Sequence, residues 1–200
     1  MAELLLFHHA QGLTAGCLSF VDELRAAGHV VHAPDLYDGK TFPELADGVG
    51  YAEQVGFDTI IERGRLAADG LPTNIVYAGL SLGVLPAQML AQTCPGAKGA
   101  LLIHSCVPPS EFDSPWPQGV PVQIHLMDAD EWALPPNEDL DVARQLDEAV
   151  ESAELFVYPG DRHLFADNSL ADYDESAATL LTRRVLSFLD DVEADTPVPR

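Results

Sequence analysis

The feature that most limits the fold is a set of six short apolar runs along a chain of 200 residues: LLLFHH, HVVHAP, NIVYAG, GALLIHS, VPVQIHLM and ELFVYPG. Each run is continuous rather than alternating, the pattern of a strand buried on both faces. Between them lie stretches of helical periodicity at 17–27, 51–68, 82–92, 138–152 and 170–192. Strands alternating with helices imply the α/β class, with a doubly wound, mostly parallel sheet of about six strands. Right-handed crossovers then place every strand C-terminus on one edge, where ligands normally bind. A chain of this length supports one core, so a single domain is expected over residues 1–192, with 193–200 as a frayed tail. The Pro-rich stretch 107–121 is too short for a cap domain and reads as a connection.

Charge narrows the partners. Ten basic residues stand against 32 acidic ones, a formal net charge of -22. Nucleic acid and anionic membrane surfaces would be repelled, so neither is expected as a partner. The N-terminal MAELLLFHHAQG has no basic segment ahead of its apolar run, so no signal peptide is expected. Cys17, Cys94 and Cys106 are too few and too scattered for a disulfide framework or a zinc site. A reduced, cytoplasmic protein without metal or organic cofactor is the expectation.

The third run ends in GLSLG, residues 79–83, and a helical pattern follows. A serine between two glycines on a strand–turn–helix is the setting of a nucleophile elbow. The glycines suit it because the sharp turn brings backbones together where a Cβ would clash. Such a turn aims the N–H of Leu82 at a developing oxyanion. Pro86, which lacks an N–H, stands awkwardly close to the start of that helix.

A serine nucleophile needs a base and an acid, in the chain order serine, acid, histidine. His163 follows the last apolar run. His29, His32, His104 and His125 lie at or within strands, where packing or hydrogen bonding accounts for them. After the fifth run Asp128, Asp130 and Glu131 are on offer. Asp130 falls in the loop and is the first candidate, with Asp128 at the strand end as the alternative. The acid's role is to fix the imidazole tautomer. A second oxyanion N–H is expected from the loop after the first strand, at Ala10 or Gln11, with His8 and His9 bordering the same space.

GLSLG, APDLYDG after the second run, MDADEW and GDRHLFAD together resemble the dienelactone hydrolase family of the α/β-hydrolase fold, over nearly the whole chain. The resemblance implies that fold without a cap, and cleavage of a small ester or lactone. His9, Gln11 and Tyr37 are expected to contact substrate. The departures are coherent. The best-known members use a cysteine nucleophile, where this chain has Ser81. The glutamate that partners the resting thiol is replaced by His9. An arginine four residues after the catalytic histidine, which holds a substrate carboxylate, is replaced by Asp167. Asp167 is therefore expected to repel acidic substrates, leaving Lys40 and Arg162 as cations near the site. The expected site is Ser81 as nucleophile, His163 as base, Asp130 as acid, and Leu82 with Ala10 as the oxyanion hole. A thioesterase or peptidase, or a non-catalytic binding protein on the same scaffold, is the alternative.

Overall fold

The structure, a computed structural model, describes residues 1–194. Six strands form one parallel sheet: β1 (Glu3–Phe7), β2 (Val30–His32), β3 (Val76–Leu80), β4 (Gly99–Ile103), β5 (Val122–Met127) and β6 (Ala153–Tyr158). Their order across the sheet is β2-β1-β3-β4-β5-β6. Six α-helices accompany them: α1 (Ala15–Ala26), α2 (Leu45–Val55), α3 (Phe57–Ala67), α4 (Val84–Thr93), α5 (Asp139–Ala149) and α6 (Glu175–Ala194).

The continuous apolar runs have the cause their pattern suggests. Successive strand side chains point to opposite faces, and both faces are covered. Leu5 and Phe7 of β1 pack into one core, with Ala52 of α2, Ile60 of α3, Val84 and Ala87 of α4, and Leu140 of α5. Leu4 and Leu6 pack into the other, with Phe20 and Leu24 of α1 and Leu181 and Val185 of α6. Each fully buried leucine contributes about 1.5–3 kcal/mol. Among the described residues no separate cap domain is present, and no helix is long and apolar enough to cross a membrane.

Two expected helices differ in extent. The stretch 51–68 is part of two helices, broken at Gly56, whose φ of 93° no α-helix tolerates. The last helix starts at Glu175, because residues 164–174 form a loop tied down by its own hydrogen bonds, among them Asp174 N–H to the Phe165 carbonyl at 3.0 Å. It runs to Ala194, two residues into the expected tail; residues 195–200 lie outside the described part of the chain.

Topology fixes where a ligand can sit. The chain leaves β1 for the neighbouring β2 on one side, and leaves β3 for β4 on the other. The connections diverge between β1 and β3, opening a crevice beyond their C-terminal ends. Ala10 follows β1 and Ser81 follows β3, so both border that crevice.

Candidate active site

Ser81 comes directly after β3 with φ 50°, a left-handed backbone that non-glycine residues seldom adopt. It opens a 3-10 turn, Ser81–Gly83, before α4 begins at Val84. The flanking glycines are demanded by contact. A Cβ on Gly79 would lie 2.2 Å from the Gly83 carbonyl oxygen, and one on Gly83 would lie 2.4 Å from that of Phe7. The 3-10 turn also removes the difficulty with Pro86. That residue falls in the first turn of α4, where a backbone N–H has no intrahelical acceptor, so nothing is lost.

Three elements bring three side chains into line. Ser81 Oγ lies 2.7 Å from His163 Nε2, and His163 Nδ1 lies 2.7 Å from Asp130 Oδ2. A carboxylate only accepts, so Nδ1 carries the proton and donates to Asp130, which leaves Nε2 to accept from the Ser81 hydroxyl. Asp130 is almost fully buried, and its Oδ1 accepts the Trp132 N–H at 2.9 Å. Asp128 is exposed and does not reach His163; its Oδ1 accepts the Gly160 N–H at 2.9 Å, which ties the β5 and β6 loops together. This serine–imidazole–carboxylate chain can pass a proton from hydroxyl to imidazole and stabilise the imidazolium with Asp130.

It opens on a cleft of about 400 Å³ lined by Ala10, Val49, Glu53, Phe57, Ser81, Leu82, Leu85, Ser105, Val107, Trp132, Asn137, Asp139 and His163. Leu82 and Ala10 thus border the cleft beside Ser81. Sequence reasoning missed Glu53, Ser105, Trp132 and Asp139. Nothing local singles them out, since both carboxylates sit in acid-rich stretches.

His9, Gln11 and Tyr37, expected to contact substrate, stand behind the cleft wall rather than on it. The Gln11 amide donates to the Phe42 and Pro43 carbonyls at 3.0 and 2.9 Å. Tyr37 is fully buried, its hydroxyl donates to the Gly48 carbonyl at 3.2 Å, and burial pushes its phenol up. His8 is neutral: burial lowers it to about 4, its Nδ1 donates to the His9 carbonyl and its Nε2 accepts from Leu36 N–H.

His9 Nε2 meets Asp167 Oδ2 at 2.8 Å, and this corrects the expectation for Asp167. Asp167 does not face the cleft. It is buried against the start of α1, where Thr14 Oγ also donates to Oδ2 and Ser169 donates to Oδ1 through N–H at 2.8 Å and hydroxyl at 2.6 Å. A side chain on Gly16 would collide with this carboxylate, at 1.7 Å from Oδ1. Burial opposes its ionisation, but the donors outweigh burial and hold the carboxyl well below the usual range. Burial likewise opposes a charge on His9, yet the hydrogen bond to Asp167, with Cys17 beside it, raises the imidazole to about 9. Cys17 completes a group of three potential metal donors within 4.8 Å of one another. Both Asp167 oxygens are already engaged by protein donors, so a metal would have to displace them.

The other cations and histidines are engaged elsewhere. Lys40 sits over the Tyr51 ring at 4.4 Å, and Arg162 donates to the Tyr173 carbonyl. His32 meets Glu3 at 2.8 Å, His29 accepts the Ala2 N–H, and His125, lowered to about 3 by burial, pairs with the Tyr158 hydroxyl. His104, buried with φ 71°, packs 6.0 Å from the His163 ring, and its Nδ1 has no hydrogen-bond partner among the described residues.

A parallel sheet in this order, with a crevice at the switch point and no cap, defines the α/β-hydrolase fold. The solved structures agree. The putative dienelactone hydrolase of Klebsiella pneumoniae subsp. pneumoniae superposes with a TM-score of 0.68 at 20% identity, covering 95% of this chain and 87% of that one. A dienelactone hydrolase-like promiscuous phosphotriesterase from metagenomic libraries gives 0.74 at 14% identity, covering 96% and 87%. The thioesterase domain from the curacin biosynthetic pathway gives 0.59 at 15%, covering 92% and 90%. No curated protein matches the sequence. The dienelactone hydrolase family model matches residues 3–193, and the chain belongs to that family of hydrolases.

Proposed function

We propose that the protein is a serine hydrolase that cleaves a small ester or lactone. The observation that carries this reading is the unbroken hydrogen-bonded chain from Ser81 through His163 to Asp130, open to the cleft at its serine end. Ser81 Oγ attacks the acyl carbon while His163 Nε2 takes its proton. The backbone N–H groups of Leu82 and Ala10 hold the oxyanion. The tetrahedral intermediate collapses as the imidazolium returns the proton to the leaving alkoxide, leaving an acyl group on Ser81. Water then repeats the cycle: His163 takes its proton, the acyl–Oγ bond breaks, and the serine is regenerated with release of the acid. In a lactone the alkoxide stays tethered to the acyl group until that second step. The working setting is a reduced cytoplasm, in keeping with three free cysteines.

Ser81→Ala tests the reading. It should lower kcat on a nitrophenyl ester by about 10⁴–10⁶-fold and abolish labelling by a fluorophosphonate, with the thermal midpoint unchanged. Retention of a tenth of the activity would remove Ser81 from the mechanism. An unlabelled, inactive wild-type protein would favour the non-catalytic scaffold instead. A matched oxyester and thioester, compared on the wild type, separate an esterase from a thioesterase.

A further inference from the structure

The cleft in front of Ser81 is electrically one-sided. Its lining includes two carboxylates, Glu53 and Asp139, and neither lysine nor arginine. The two acids differ in how they are held. Glu53 is an exposed side chain on α2, well solvated. Asp139 is half-buried in the first turn of α5. Its Oδ2 accepts the Ser105 hydroxyl at 2.6 Å and the Cys106 N–H at 3.4 Å. Its Oδ1 has no partner among the described residues and is not sealed from solvent. One oxygen is thus fixed by the protein, and the other is left without a partner on a residue that lines the cleft.

Burial also raises the Asp139 carboxyl above its ordinary range, against the pull of its two donors. A charge short of solvation gains from a cation that enters beside it. A neutral hydroxyl on the substrate would satisfy the same oxygen, but a charge-assisted bond is roughly twice as strong. A substrate carboxylate would meet repulsion from both acids. The chain's overall negative charge adds a long-range attraction for cations, screened by salt.

We infer that Asp139, which lines the cleft with Ser81 and His163, selects substrates carrying an ammonium group that donates to its free oxygen. The inference rests on Ser81 as the nucleophile. Three ethyl esters of matched shape test it, differing only in the terminal group: β-alanine ethyl ester (ammonium), ethyl butyrate (methyl) and monoethyl succinate (carboxylate). Each kcat/KM is divided by the ester's rate with hydroxide, since the substituents also alter intrinsic reactivity. The ammonium ester should exceed the methyl ester by about tenfold or more, the size of one charged hydrogen bond, and the carboxylate ester should fall below both. Asp139→Asn should bring the ammonium-to-methyl ratio close to one, and Glu53→Gln should leave most of it. A wild-type ratio near one overturns the inference without any variant, so a poorly folded Asp139→Asn does not shelter it. A ratio that survives in a folded Asp139→Asn overturns it as well. If none of the three esters turns over, the inference falls; fluorophosphonate labelling of Ser81 in that sample leaves the hydrolase reading standing, and no labelling takes both down.

Discussion

Two buried histidine–aspartate pairs lie close together beyond the strand ends. His163 and Asp130 meet at 2.7 Å, His9 and Asp167 at 2.8 Å. By distance they are twins, but their outer partners differ. Beyond His163 stands the Ser81 hydroxyl and then open cleft, while Asp130 has one further backbone donor. Beyond His9 stands the Gln11 N–H, 3.2 Å from Nδ1, and Asp167 is occupied on both oxygens by Thr14 and Ser169. The first pair has somewhere to send a proton. The second has none, and instead clasps the loop after His163 to the loop after β1 and the start of α1. A short imidazole–carboxylate contact is therefore not a functional signature by itself; what the far nitrogen meets decides.

Breaking each pair should give opposite phenotypes. Asp130→Asn is expected to cost about 10⁴-fold in kcat, because the amide favours the wrong imidazole tautomer, while the thermal midpoint barely moves. Asp128→Asn is its control, with stability within about 0.5 kcal/mol of wild type and nearly full activity. The reverse ranking would move the acid to Asp128. Asp167→Asn should instead remove the buried anion that His9, Thr14 and Ser169 all donate to, destabilising the fold by about 3 kcal/mol or more. For a chain of this size that lowers the midpoint by roughly 10 °C. Full stability in that variant would dissolve the contrast.

The smallest effect concerns pH. His9 is raised from 6.5 to about 9 on folding, so the stability it contributes is complete below pH 6.5 and is lost as pH rises through 9. Asp167 is depressed, so its contribution is present above the ordinary carboxylate range and fades only in strong acid. The pair should therefore stand intact between about pH 5 and 6.5. Stability should then decline by about 1–3 kcal/mol towards pH 9, the lower figure reflecting Gln11 N–H, which needs an unprotonated Nδ1. Denaturant melts at pH 6, 7.5 and 9 check this. The decline should vanish in Asp167→Asn; an equal decline there would assign it to other groups.

Much of this was legible in the sequence, for reasons that also mark the limit. Strands buried on both faces leave continuous apolar runs, and a parallel sheet brings their ends to one edge, so motif context and chain order pointed to Ser81 and His163 and put Asp130 ahead of Asp128 without deciding between them. What faces the cleft could not. His9, Gln11 and Tyr37 lie near that edge, but turn inward to satisfy backbone groups of the 40–48 segment and the Asp167 carboxylate. Asp139 faces outward from a helix whose sequence, DLDVARQLDEA, offers several equal acids. Which side of a loop a side chain takes is set by packing between segments distant in sequence, and that leaves no local pattern.

The clasp between His9 and Asp167 also constrains how these two positions can be substituted. A carboxylate in place of His9 would face Asp167, and a cation in place of Asp167 would face His9, at a spot where even a Cβ on Gly16 would collide with the carboxylate. A change at one of the two positions therefore calls for a compensating change at the other, and the pair should be engineered as one unit.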